Sequence, residues 1–320
     1  MIEKIDAHSH FGKDAFFPVE GDLNKYIGEA KKIGIKETLA MPVACPKISK
    51  DDKSIILLQN NYDGEKVEHY KVIIKGKKSK KIKHQSGYNP YSVANTEIFN
   101  LKGDHKGIQF HYVPLIHPFY YSDDDLFLQK IRGAKALKIH GIAGGVNPKY
   151  VQADFLKKIE KLGIPIILHT DYNPNCYIQK VNTTENWLEI LKDYNIKAMF
   201  THSARLSKDA IKIINEDKRY IVGLAPDIYL MSDKDNFKDY PENYYEKCFS
   251  EFSENKIFFD IDYPWNIHSI KNINLDWKSV ERIEKTCTDK EKLEKFYNGN
   301  IRNFLGLRKN IEIQKEGDER

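Results

Sequence analysis

Gly163-Ile164-Pro165-Ile166-Ile167-Leu168-His169 places a helix stop, a buried strand and a polar strand end side by side. Upstream, Phe155, Leu156, Ile159 and Leu162 recur at helical spacing, and Gly163 stands where a left-handed cap residue ends such a helix. Ile164–Leu168 is a near-continuous apolar run of the kind a parallel strand takes when both its faces are covered. Helix, glycine, apolar strand is the unit from which parallel α/β sheets are built.

The same unit recurs outward in both directions. Strand-like runs are expected at Ile2–His8, Glu37–Val43, Gln109–His117, Ala136–Ile142, Ile164–His169, Ile196–His202, Tyr220–Ala225 and Lys256–Asp262. Helical periodicity separates them, as in Leu23-Tyr26-Ile27-Ala30, which Gly34 follows, and in Trp187-Leu188-Leu191. Eight strands alternating with helices and joined by right-handed crossovers close most simply into a (β/α)8 TIM barrel. The interruption runs from Ser49 to Tyr91, where Glu68–Ile74 alternates like a strand, so an inserted hairpin or long loop after the second strand is expected. Asp289–Leu307 reads as one or two terminal helices. The division is therefore one barrel domain over 1–307, with 49–91 inserted in it, and a polar tail over 308–320.

Composition fits that division. The chain has 320 residues, 41% hydrophobic and 30% charged, which supports a large core and excludes disordered and fibrous classes. No run approaches the ~18 apolar residues of a membrane span. Met1–Asp6 lacks a signal-like apolar stretch, and Cys45, Cys176, Cys248 and Cys287 are too sparse for a disulfide framework, so a cytoplasmic protein is expected. The net charge of +5 comes from 51 basic against 46 acidic residues, a weak signal for a polyanionic partner. Lys75, Lys77, Lys78, Lys80, Lys81 and Lys83 crowd one segment of the insertion. A solvated loop explains such a run more often than a nucleic-acid site does. A small-molecule substrate is the expected partner; a homo-oligomer is compatible with the sequence but not defined by it.

Six of the eleven histidines, His8, His10, His117, His140, His169 and His202, fall at or just past strand ends. In a barrel that rim carries the active site. One such histidine is more often structural, and His117 is read that way; four or more together are not. His8 and His10 share a strand face, with Asp6 in the same parity beneath them. Joined by His169, His202 and a carboxylate at the eighth strand end, they form a donor set suited to Zn²⁺, with Mn²⁺ or Fe²⁺ as alternatives. Asp260 and Asp262 have the same parity; the Tyr-Pro that follows favours Asp262.

These residues carry a family resemblance. Ile5-Asp6-Ala7-His8-Ser9-His10-Phe11 resembles the first-strand signature of the amidohydrolase superfamily. More narrowly, the chain resembles the branch of metal-dependent hydrolases related to aminocarboxymuconate-semialdehyde decarboxylase. Ala136–His140 is similar to that branch's KxH motif, and Ile164–Thr170 to its fifth-strand metal histidine. Phe200–Ser203 is similar to its sixth-strand histidine, and Asn300–Leu307 to its closing helix. Phe259–Trp265 resembles its Asp-Tyr-Pro motif, where Gly-Ser more often precedes the aspartate.

The resemblance implies one divalent metal on His8, His10, His169 and Asp262, with Asp262 and His202 as the catalytic pair. Zinc can lower a water's pKa to ~7 and polarise a carbonyl oxygen. Asp262 would then move the proton, and His202 would stabilise an oxyanion or orient the nucleophile. Lys138 has three open readings: a carboxylated bridge to a second metal, a substrate anchor or hydrogen-bonding group, or a structural cation. His140 shares the second-metal or substrate reading. Arg205 either clamps a substrate carboxylate or forms an ordinary surface contact. Tyr172, Asn173 and Trp265 are candidates for the pocket wall. A cysteine nucleophile is disfavoured, since no lowered thiol pKa is evident.

Three functions follow in order. The first is a metal-dependent hydrolase cleaving a C–N, lactone or ester bond in a small anionic molecule. The second is a metal-dependent non-oxidative decarboxylase of a small aromatic or enoic acid. The third is a non-catalytic barrel that binds nucleic acid through the lysine-rich insertion.

Overall fold

A computed structural model of the chain describes residues 2–14, 20–43, 53–56, 69–74, 80–83, 89, 91–141, 143–170, 181–225, 243–264 and 275–308. Strand β1 (Lys4–Lys13) leads into helix α1 (Leu23–Lys32), and β2 (Ile35–Pro42) follows. Helix α2 (Ser92–Asn100) precedes β3 (Ile108–Tyr112), and α3 (Asp123–Ile131) precedes β4 (Leu137–His140). The alternation continues through α4 (Ala153–Leu162), β5 (Ile166–His169), α5 (Thr184–Leu191), β6 (Ala198–Phe200) and α6 (Lys208–Glu216). It ends with β7 (Tyr220–Gly223), α7 (Tyr244–Glu251), β8 (Ile257–Phe258) and the helices α8 (Leu275–Thr286), α9 (Lys290–Glu294) and α10 (Asn300–Leu305).

The capping chemistry is local. Asp22 accepts from the Lys25 amide at the start of α1, Ser122 caps α3, and Ser207 caps α6. Gly163 ends α4 at φ 66°, as its position in the sequence requires.

β1, β2 and β3 pair in parallel, and β4 to β8 form a second parallel sheet in sequential order. Two seams join the sheets. Leu115 bridges to Lys138, with the Lys138 amide donating to the Pro114 carbonyl at 2.8 Å. On the other side Ser9 bridges to Tyr263, and the Ala7 and His10 amides donate to the carbonyls of Phe259 and Tyr263. The eight parallel strands thus follow one another in a cyclic order. Lys53–Ile56, His69–Ile74 and Lys80–Lys83, between β2 and α2, pair antiparallel as a separate three-stranded sheet. The expected strands are present; the first two run longer than expected and the later six are shorter, the third stopping at Tyr112, ahead of Pro114, whose nitrogen has no hydrogen to give a ladder.

Two apolar clusters sit on either side of the strands. Ile5, Ala7, Leu39, Met41, Val113, Ala136, Ile167, Met199, Ile221 and Phe258 pack together with Ile301, Phe304 and Leu307 of the last helical segment. Arg302 pairs with Glu37 at the start of β2, and Lys197, ahead of β6, donates to the Phe304 carbonyl at 3.0 Å. Helix α10 therefore covers the N-terminal ends of the strands, opposite the C-terminal ends. The larger cluster lies between strands and helices. Among the described residues, no helix is long and apolar enough to cross a membrane.

The pairing of β1 with β2 shifts register twice, between Lys4 and Ile5 and again further on. The second shift lies between Asp6 and Ser9, which stand opposite Thr38 and Ala40. One extra residue in β1 makes a β-bulge. Ile5 and Ala7 lie in the interior cluster, whereas Asp6 accepts from the Tyr26 hydroxyl of α1 at 2.7 Å. Asp6 therefore does not sit beneath the histidines, as strict parity implies; the bulge flips the strand between Asp6 and His8. The Asp6 carboxylate also accepts from the Ser9 hydroxyl and, at 3.2 Å each, from the His8 and Ile261 amides. Replacing Tyr26 with Phe removes one donor from this buried carboxylate and should cost about 1–3 kcal/mol of unfolding free energy. Urea denaturation measures it; an unchanged midpoint would contradict the role given to Asp6.

Candidate metal centre

The C-terminal strand ends bring five imidazoles, one lysine and two aspartates together. His8 and His10 come from β1 past the bulge, Lys138 and His140 from β4, and His169 from β5. His202 follows β6 directly, and Asp260 and Asp262 follow β8. His8, His10, Lys138, His202, Asp260 and Asp262 are buried, while His140 and His169 are half-buried at the rim. Two of the residues have left-handed backbone, His202 at φ 57° and Asp262 at φ 53°. The turn from His202 to Leu206 is left-handed throughout, a conformation costing roughly 1–2 kcal/mol per residue for L-amino acids. Such strain persists where surrounding contacts over-determine it, and Ser203 is held by the Tyr244 hydroxyl.

Carbonyl partners fix which ring nitrogens carry hydrogen. His10 Nδ1 lies 2.7 Å from the Pro42 carbonyl and His202 Nδ1 3.3 Å from that of Ala225. A carbonyl only accepts, so both Nδ1 atoms are donors and both Nε2 atoms present lone pairs. Lys138 Nζ donates to His8 Nε2 at 2.8 Å, which makes that nitrogen an acceptor too. His8 Nε2 and His10 Nε2 are then two lone pairs only 3.0 Å apart, each 3.5 Å from Asp262 Oδ1. Lone-pair nitrogens and a carboxylate oxygen this close together repel one another, and a cation among them, as the Lys138 ammonium is beside His8, relieves that repulsion. Donor atoms of His8, His202 and Asp262 all lie within 4.8 Å of one another, a grouping able to hold a metal ion. Imidazole and carboxylate together suit a divalent transition metal.

The geometry sharpens the expected ligand set. His8 and Asp262 are central to it, and His10 shares their focus. His202 belongs to the tight group, and His169, expected as a ligand, has Nδ1 3.2 Å from His202 Nε2 and its ring stacked on His140 at 4.0 Å. The two aspartates take opposite edges of the His8 ring. Asp262 faces Nε2, whereas Asp260 stands behind the ring, with Oδ2 3.7 Å from Nδ1. Burial pushes the Asp260 carboxyl up to about 8, and a cation on the Nε2 side of His8 would pull it back down. Lys138 is fully buried beside both carboxylates, and burial lowers its pKa against their pull. Arg205 is half-buried in the left-handed turn. Tyr172, Asn173, Trp265, Cys45 and Cys176 lie outside the described residues. His117 has Nε2 2.9 Å from the Gly144 carbonyl, in keeping with a structural role. Parity could not reveal Asp260's position behind His8.

Solved structures share this architecture along the whole chain. A probable 2-pyrone-4,6-dicarboxylic acid hydrolase from Acinetobacter baumannii, with citric acid bound, matches at 13% identity and a TM-score of 0.58, covering 95% of this chain and 100% of that one. A 5-carboxyvanillate decarboxylase from Novosphingobium aromaticivorans, complexed with manganese and 4-hydroxy-3-methoxy-5-nitrobenzoic acid, matches at 10% and 0.57, covering 96% of each chain. An amidohydrolase 2 protein from Bifidobacterium longum subsp. infantis matches at 10% and 0.56, covering 96% and 100%. The fold is thus that of amidohydrolase 2 proteins; at these identities the likeness extends to the fold alone. No protein-family model matches the sequence, and no curated protein matches it.

The site also sets a pH dependence. Burial, with Lys138 adding to it, pushes the His10 imidazole down to about 3, and burial lowers His8, His140 and His169 in the same direction. In the unfolded chain these rings take up protons near ~6.5. As pH falls through that value the unfolded state binds protons that the folded state refuses, so stability is lost. Chelator-treated protein should therefore show a melting temperature that drops steadily from about pH 7 to about pH 5. A flat profile over that interval would contradict the burial of neutral imidazoles.

Proposed function

We propose that this chain is a metal-dependent hydrolase built on a (β/α)8 barrel, with residues 49–91 inserted between β2 and α2. Its reaction is cleavage of a C–N, lactone or ester bond in a small anionic substrate. The observation that carries this reading is the convergence of the His8 and His10 Nε2 lone pairs on Asp262 Oδ1 at the C-terminal strand ends. A divalent ion bound there, with zinc, manganese and iron as candidates, would supply Lewis-acid polarisation of a carbonyl or carboxylate oxygen and an acidified water.

The protein's own groups supply the remainder. His8, His10, His202 and Asp262 would hold the ion, and His169, expected as a ligand, adjoins His202 through their ring nitrogens. Asp262 Oδ1 lies at the focus of the site, where it takes a proton from the attacking water and returns it to the leaving group. His202, fixed by its bond to the Ala225 carbonyl, would orient the nucleophile as one of the ligands. Lys138 and the half-buried His140 are cationic or donor groups for a substrate carboxylate, which Arg205, Tyr172, Asn173 and Trp265 would help to receive.

A second reading is a non-oxidative decarboxylase using the same ligands. The decarboxylase among the structural neighbours, complexed with manganese, favours it. Metal-dependent CO₂ release from aromatic or enoic acids, without hydrolysis of lactones or amides, would replace the hydrolase with this reading. Under either, Asp262→Asn should lower turnover by about 10²–10⁴-fold, and full activity in that variant would contradict both. Elemental analysis of chelator-free protein should find about one equivalent of metal. Two equivalents would instead assign Lys138 as a carboxylated bridge.

A further inference from the structure

Behind His8 lies an arrangement that the metal focus itself does not use. His8 Nδ1 and Asp260 Oδ2 are both buried, neither has a hydrogen-bond partner, and they face each other at 3.7 Å. Both side chains are fully shielded from water. The other carboxylate oxygen, Oδ1, is held by the Ala225 amide at 2.6 Å, so Asp260 cannot swing freely. Room for the carboxylate exists because residue 223 is glycine: a Cβ there would lie 2.3 Å from Asp260 Oδ2. On the opposite side of the ring, His8 Nε2 accepts from Lys138. A neutral imidazole with an accepting Nε2 carries its hydrogen on Nδ1, and that hydrogen faces Asp260.

We infer that Asp260 is a positioning residue that accepts the Nδ1 hydrogen of His8, thereby fixing the tautomer that turns the Nε2 lone pair toward the metal. The inference rests on the metal-centre reading above. Ligating histidines are commonly oriented in this way by a carboxylate on their remote nitrogen, which also raises the basicity of the ligating atom. Ala225 links two such devices. Its amide anchors Asp260, behind His8, and its carbonyl anchors His202 Nδ1. One peptide segment at the end of β7 therefore sets the orientation of two imidazoles.

Asp260→Asn separates this role from simple packing. The asparagine keeps an oxygen for the Ala225 amide but turns an NH₂ toward His8 Nδ1. Two donors then face each other, and the ring is driven to the opposite tautomer with hydrogen on Nε2. The variant should bind Zn²⁺ about 10–100-fold more weakly than the parent in competition with a chromophoric chelator, while its chelator-treated form melts near the parent's temperature. Zn²⁺ affinity within twofold of the parent would overturn the inference. Ring ¹⁵N spectra of the metal-free parent, with His8 assigned by its loss in His8→Gln, give a reading that needs no folded Asp260 variant. Hydrogen on Nδ1 supports the assignment, and hydrogen on Nε2 overturns it. If the parent takes up no Zn²⁺, the metal-centre reading fails, and the ring spectra still decide whether Asp260 sets the tautomer.

Discussion

The Asp6 carboxylate is the constraint on which the site depends. It collects the Tyr26 hydroxyl from α1, the Ser9 hydroxyl and His8 amide from β1, and the Ile261 amide from the chain just past β8. One side chain thus ties a helix to the first and last strands of the cycle. Burial pushes the Tyr26 hydroxyl well above its ordinary pKa, and the Asp6 charge adds to this, so Tyr26 remains a donor. The bulge between Asp6 and Ser9 is what lets Asp6 face α1 while His8 and His10 face the C-terminal strand ends. By holding Ile261, the same carboxylate sets where Asp262 begins its left-handed turn toward the imidazoles. Sequence, seam and site are joined at that residue.

Closure of the strands has a chemical consequence as well as a structural one. A buried cluster of lone pairs and carboxylates is costly by itself, because its charged and polar groups have lost water. The fold accepts the cost where the strand ends converge and offsets it with a large apolar interior beneath. Ile5, Ala7, Leu39, Met41, Ile167 and Met199 lie in that interior layer. Phe304 and Leu307 cover its far end, so the polar groups are confined to one rim. A polar site at one end and a packed plug at the other is the division expected of parallel α/β architecture.

Much of this is legible in the linear chain, for physical reasons. Near-continuous apolar runs such as Ile164–Leu168 have no solvent-facing alternation, and Gly163 supplies the left-handed cap that separates helix from strand. Histidine at successive strand ends is a local pattern, so His8, His10, His140, His169 and His202 can be assigned to one rim from the residues alone. The remainder depends on pairing between distant segments. The bulge in β1 arises from its register with β2, and a period-two reading of Asp6 fails at that point. Asp260 and Asp262 have one parity in the sequence but lie at opposite edges of the same ring. The left-handed backbone at Asp262 and the absence of a Cβ at Gly223 separate them. His202 joins the ligand group through the left-handed turn after β6, which no helix or strand periodicity encodes.

The central claim is that the imidazoles of the first strand and the carboxylate after the last share one cation. X-ray absorption at the zinc edge of Zn²⁺-loaded protein addresses it most directly. Imidazole back-scattering from at least two histidines together with an oxygen shell, at about 2.0–2.2 Å, is expected. An all-oxygen shell without imidazole scattering, or sulfur at about 2.3 Å, would contradict it.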